Sequence, residues 1–136
     1  MNWLVDANVL SEATRPSPDP RVLAWLLAHE RHLVVDPIVL GELRFGVLLL
    51  PSGRRRDRLE AWFEGTVARV RCLPWDREVG LRWAELVAQL RRAGLAMPVK
   101  DSMIAATALA NGLGVATRNL RDFEKAGVPV LDPFAS

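Results

Sequence analysis

Short, wholly apolar runs alternate along the chain with longer stretches in which apolar residues recur every three or four positions. Trp3-Leu4-Val5 reads as a buried strand ending at Asp6. Asp6 to Ala13 reads as a helix that stops before the loop Arg15-Pro16-Ser17-Pro18-Asp19-Pro20. Arg21 to His29 places Val22, Trp25, Leu26 and His29 on one helical face. Leu33-Val34-Val35 is a second strand, and Pro37 opens a third helix that reaches about Leu50. Arg54 to Ala68 is a fourth helix, followed by a short strand near Val70 to Leu73. Asp76 caps a fifth helix ending around Gly94, and Val99 to Asn111 form a sixth. Val115 to Thr117, Leu120 to Lys125 and Pro129 to Leu131 complete the pattern as strand, helix and strand. Such alternation predicts an α/β fold, with a parallel sheet covered on both faces. Sheets of that kind place their sites at the carboxyl ends of the strands.

Composition narrows the class. The chain has 136 residues, with no internal repeat and no dividing linker, so a single domain spanning 1–136 is expected. Half the residues are hydrophobic and a quarter charged, which excludes disorder and a coiled coil. The longest apolar run, Val22 to Ala28, falls far short of the roughly 20 residues needed to span a bilayer. Asp6 interrupts the opening apolar residues, so no signal peptide is expected. Cys72 has no partner for an internal disulfide, and a cytoplasmic protein is expected. Trp25, Trp62 and Trp83 suit helix core positions. The 18 basic residues comprise 16 Arg and only 2 Lys. That bias fits either a GC-rich genome or contact with phosphate, which the planar guanidinium suits.

Four acids stand where acids are unusual. Asp6 closes a buried strand. Glu42 shares a helical face with Ile38, Val39, Phe45 and Leu49, and Asp101 shares one with Ile104, Ala105 and Ala108. Asp122 lies in the first turn of a short helix after Thr117-Arg118-Asn119. Each has an ordinary alternative. Asp6 and Asp101 can cap helices, Glu42 can pair with an Arg such as Arg44 of another chain, and acids are common in a helix's first turn. Taken together, carboxylates on core-facing positions need partners, protons or a cation. Converging carboxylates bind a hard ion, Mg²⁺ or Mn²⁺. Zinc is disfavoured, because His29, His32 and Cys72 lack the spacing it requires. With four acids in one site, the rest of the surface is clearly basic, a layout suited to a polyanionic substrate.

These acids also carry recognisable surroundings: Leu4-Val5-Asp6-Ala7-Asn8-Val9-Leu10-Ser11-Glu12, Gly41-Glu42-Leu43-Arg44-Phe45-Gly46, Asp101-Ser102-Met103-Ile104-Ala105-Ala106-Thr107-Ala108 and Ala116-Thr117-Arg118-Asn119-Leu120-Arg121-Asp122-Phe123. In this order and at this length, the chain closely resembles the PIN domain, and within it the VapC and FitB-like toxins of prokaryotic toxin–antitoxin pairs. The resemblance implies an α/β/α sandwich with a central parallel sheet and a Mg²⁺- or Mn²⁺-dependent ribonuclease. It maps the acidic, metal-holding cluster onto Asp6, Glu42, Asp101 and Asp122, with Asn8, Thr117 and Asn119 as polar support. It also implies a homodimer and a cognate VapB-like antitoxin whose tail covers the acidic groove. Ala7 stands where the family often has Thr or Ser, Asp36-Pro37 where a Ser-Ala pair is common, and Val39 where Thr is frequent. These departures touch the flank of the site.

The residues suggest a division of labour. Asp6 and Asp101 are expected to hold the principal ion, with Glu42 direct or through water. Asp122 is expected to hold a second ion or orient water. No side chain reads as a dedicated general base. The run Arg54-Arg55-Arg56-Asp57-Arg58 is either a solvated helix start or a guide for RNA. An aspartyl-nucleophile phosphatase would need a second Asp at position 8, which is Asn. A binding-only protein would be favoured by loss of any of the four acids, and all four are present.

Overall fold

The structure is a computed structural model and describes residues 1–135. Strands β1 (Trp3–Val5), β2 (Leu33–Val35), β3 (Arg71–Cys72), β4 (Gly114–Ala116) and β5 (Val130–Leu131) form a five-stranded sheet in the order β3-β2-β1-β4-β5. All four pairings are parallel. Helices α1 (Ala7–Leu10), α2 (Pro20–Ala28), α3 (Pro37–Leu48), α4 (Arg54–Gly65), α5 (Arg77–Arg92), α6 (Val99–Asn111) and α7 (Leu120–Glu124) flank it, giving the expected α/β/α sandwich. The first predicted helix is broken: α1 ends at Leu10 and a 3₁₀ turn, Ser11–Thr14, leads into the proline loop.

Local chemistry sets the helix starts. Asp19, Asp36 and Asp76 accept hydrogen bonds from backbone N–H groups at the heads of α2, α3 and α5. Pro20 and Pro37 occupy first turns, where a missing N–H costs nothing. Helix α6 stops at Gly112, whose φ of +65° is the left-handed conformation that glycine adopts freely. Leu4, Val5, Val9, Val35, Val39, Ile104, Val115 and Phe123 are fully buried and form the centre of the core. Each such side chain contributes about 1.5–3 kcal/mol through removal from water.

The strand order reverses at β1, with β2 on one side and β4 on the other. The residues that follow these three strands, Asp36, Asp6 and Thr117, leave the sheet at its carboxyl edge. In open parallel sheets the crevice at such a switch point is where ligands bind.

Candidate active site

Asp6 is buried immediately beyond β1. Its Oδ1 accepts from the Ala7 N–H at 2.8 Å, so it caps α1 as well as facing the cleft. Its Oδ2 accepts from Thr117 Oγ1 at 2.8 Å and from Asn8 Nδ2 at 3.4 Å. The Arg118 N–H donates to Asn8 Oδ1 at 3.2 Å, and the Asn119 N–H donates to Thr117 Oγ1 at 3.0 Å. Of the three support residues expected, Asn8 and Thr117 touch Asp6 directly. Asn119 acts through its backbone. Burial pushes the Asp6 carboxyl above its ordinary range, against the pull of the Thr117 and Ala7 hydrogen bonds.

Asp101 lies in the first turn of α6 and is only 8% exposed. It is not the cap, because Pro98 occupies that position and supplies no side-chain bond. Among the described residues no hydrogen bond or ion pair reaches its carboxylate. Desolvation pushes its pKa up to about 6, and the nearby charges of Asp6, Asp122 and Glu42 add to the rise. Those three charges come from three other segments, so the acids expected from the sequence act on Asp101 together.

Glu42 sits on α3, but not as the pattern suggested. The buried face of α3 is Val39, Leu43 and Val47, whereas Phe45 is 61% and Leu49 67% exposed. Glu42 is therefore half-buried on a cleft-facing edge. Within the chain, Lys100 Nζ stands 3.2 Å from its Oε2. Arg44 reaches Glu60 at 3.6 Å. Asp122, in the first turn of α7, pairs with Lys125 at 3.3 Å.

Several acids and bases around the site escape the sequence pattern. Asp36 is a fully buried carboxylate at the end of β2. It accepts from the Val39 N–H at 2.9 Å and from Thr107 Oγ1 at 2.7 Å, joining the helix of Glu42 to the helix of Asp101. Burial raises its pKa. The rule that singles out Asp6, an acid directly after an apolar strand, applies equally to Asp36. Glu12 is buried because it closes the proline loop, accepting from the Asp19 N–H at 2.8 Å and pairing with Arg15 at 3.4 Å. Lys100 gives no linear signal, since its partner Glu42 is brought to it by the fold, whereas Lys125 stands three residues from Asp122 and that pairing is local.

A groove leads away from the acids. A cavity of about 350 Å³ is bordered by Asn8, Glu42, Thr14 and Trp62. Thr14 and Trp62 also border a second cavity of about 700 Å³, lined by Arg15, Arg55 and Arg58. The groove thus runs from Glu42 to guanidiniums, with Arg15, Arg55 and Arg58 at its basic end.

The donor set is all oxygen and carries like charges in close quarters, which suits a hard divalent cation. In the present conformation no three His, Cys, Asp or Glu side chains among the described residues form a closed cage for an ion. Two of the four acids are instead engaged by lysines. Among the described residues no helix is long and apolar enough to cross a membrane.

The chain is 38% identical to the VapC ribonuclease Y4jK of Sinorhizobium fredii, over 96% of each sequence. It is 37% identical to the toxin FitB of Neisseria gonorrhoeae, over 96% of this chain and 97% of that one. The crystal structure of FitAcB from the same species superposes with a TM-score of 0.92 at 35% identity, covering 98% of this chain and 99% of that one. The parallel sheet reversing at β1, the acids gathered beyond its carboxyl edge and a family match over residues 3–129 lead to one assignment: the chain belongs to the PIN domain family, alongside VapC and FitB homologues.

Proposed function

We propose that residues 1–136 act as one Mg²⁺- or Mn²⁺-dependent endoribonuclease domain, a cytoplasmic toxin held silent by a cognate VapB-like antitoxin. The observation that carries this reading is a buried Asp101 carboxylate that no hydrogen bond or ion pair reaches among the described residues, with the charges of Asp6, Asp122 and Glu42 acting on it; burial first and those charges second push it up to about 6. Relatives named as a VapC ribonuclease and as the toxin FitB support the substrate class and the biological role.

A divalent ion in this cleft supplies charge neutralisation and activation of water for phosphodiester hydrolysis. Asp6 and Asp101 are the residues that would hold it, with Glu42 beside them and Asp122 holding a second ion or orienting water. Thr117 and Asn8 fix the Asp6 carboxylate so that one oxygen faces helix α1 and the other the cleft. Asp36 ties the head of α3 to Thr107 in the second half of α6, which holds the helix of Glu42 against the helix of Asp101. Arg15, Arg55 and Arg58 draw the RNA backbone along the groove towards the acids. The antitoxin's tail would occupy the same groove, offering an Arg to the acids.

The decisive experiment is cleavage of transfer, ribosomal and messenger RNA by purified protein, with Mg²⁺, with Mn²⁺ and with chelator. Asp101→Asn serves as the control. Cleavage that needs the ion and the Asp101 carboxylate is expected. Tight RNA binding without cleavage under any ion would replace the enzyme with a binding module. We also propose a homodimer, because Leu81, Leu95 and Val99 leave an apolar surface exposed around α5 and α6. Light scattering at micromolar concentration should give twice the chain mass, and a monomer mass would exclude it.

A further inference from the structure

We propose that Lys100 is the resident counter-cation of the acidic cleft: it neutralises Glu42 in the metal-free chain and passes to an RNA phosphate when Glu42 takes an ion. The second half of this proposal rests on the ribonuclease reading; the first half does not.

Geometry comes first. Lys100 lies on the first turn of α6, next to Asp101, with its Nζ 3.2 Å from Glu42 Oε2. Its positive charge also acts on Asp6 and Asp101. One ammonium therefore serves three of the four acids. Its side chain is 53% exposed, so the group has room to leave along the cleft.

Residue choice gives an independent argument. The chain holds 16 Arg and 2 Lys, and both Lys contact an acid of this cluster: Lys100 on Glu42 and Lys125 on Asp122. Elsewhere the carboxylate pairs use Arg. Arg21 shows what that means, since its Nε and Nη2 engage the two oxygens of Asp19 at 3.1 and 2.8 Å. A two-point fork of that kind would occupy both oxygens that an ion needs. An ammonium is a point charge on a flexible four-carbon stem, so it makes one contact and withdraws. An ion arriving at Glu42 also repels it. The nearest anion it can then meet is the phosphate that enters over the same acids.

The test uses the full-length chain with Lys100→Met and Lys100→Arg, melting temperatures being checked first. Mn²⁺ binding to metal-free protein is measured by calorimetry, and RNA cleavage by KM, kcat and salt dependence. Removal of a competing cation should tighten Mn²⁺ binding in Lys100→Met about two- to fivefold, the scale of a single exposed charge contact. The same variant should raise KM severalfold and lower the salt slope by roughly 0.7, as expected for one lost phosphate contact on single-stranded RNA. Lys100→Arg should keep the KM and weaken Mn²⁺ binding. Unchanged or weaker Mn²⁺ binding by Lys100→Met would overturn the counter-cation role. An unchanged KM would overturn the phosphate contact. If wild type binds Mn²⁺ and cleaves no RNA, the ribonuclease reading fails while the Mn²⁺ comparison still decides the role of Lys100.

Discussion

At the amino edge of the sheet, Trp3 meets Trp25 edge-on, with ring centres 6.1 Å apart, and Trp25 stacks on His29 at 4.5 Å. Gly114 sits against the Trp3 ring so closely that a Cβ there would lie 2.4 Å from it. At the carboxyl edge, the three central strands run into Asp6, Asp36 and Thr117, all buried and all polar. Three residues of strand separate the two edges. One edge gains stability by dispersion and removal of apolar surface. The other gathers carboxylates whose proton affinity is raised because burial leaves their charge under-compensated. The comparison teaches that stability and chemistry are assigned to opposite ends of the same strands.

The sharpest way to break this division is Asp101→Asn. Loss of an ion-holding carboxylate should reduce RNA cleavage by about three orders of magnitude or more, equivalent to roughly 4 kcal/mol in the barrier. The metal-free chain should melt at the same temperature or higher, since a repelled charge is gone. A drop in stability on the scale of the activity loss would show that the carboxyl edge is structural after all. Trp25→Ala probes the other edge. It should cost about 3–4 kcal/mol in urea unfolding, as large aromatic truncations do, while Mn²⁺ affinity of the folded fraction stays unchanged.

Acidity provides a third test. The Asp101 carboxyl titrates near 3.8 when unfolded and at about 6 in the fold, so the native chain binds its proton more tightly. Stability of the metal-free protein should therefore fall as pH rises from 4 through 6, by about 2–3 kcal/mol from this group. The comparison is wild type against Asp101→Asn at each pH, and parallel curves would remove Asp101 as the source. Saturating Mg²⁺ should restore the loss at pH 7. The smallest expected effect is that of Asp122→Asn. Asp122 lies in the first turn of a short helix and is already shared with Lys125, so its variant should demand more Mg²⁺ and lose about tenfold in rate at saturation, or about 1.4 kcal/mol. Inactivity equal to that of Asp101→Asn would mean that the four acids act as one unit.

Where each acid would sit was legible to different degrees, and the reasons are physical. Asp6 follows a strand whose burial is plain from Trp3-Leu4-Val5, and Asp101 lies on a stripe with Ile104 and Ala108 that is indeed buried. Helix α3 misled by one residue because it is apolar nearly all round. Periodicity then cannot choose between the face of Val39, Leu43 and Val47 and the face of Phe45 and Leu49. Asp36 looked like a departure from a family pattern. Its function as a tie depends on Thr107, 71 residues away, and no local pattern records that distance. The same holds for Lys100, whose partner lies on another helix.

The hydrogen bond between Asp6 and Thr117 spans 111 residues of sequence. Strand β1 is made well before its neighbour β4, which forms the second wall of the cleft. Contacts this distant in sequence form late, after the chain has met the cost of closing a long loop. During translation the first hundred residues carry Asp6 and Glu42 without Asp101, Thr117 or Asp122. A chain elongated only this far therefore lacks the carboxylate on which the others act, and the acidic cluster is assembled only once β4 has docked beside β1.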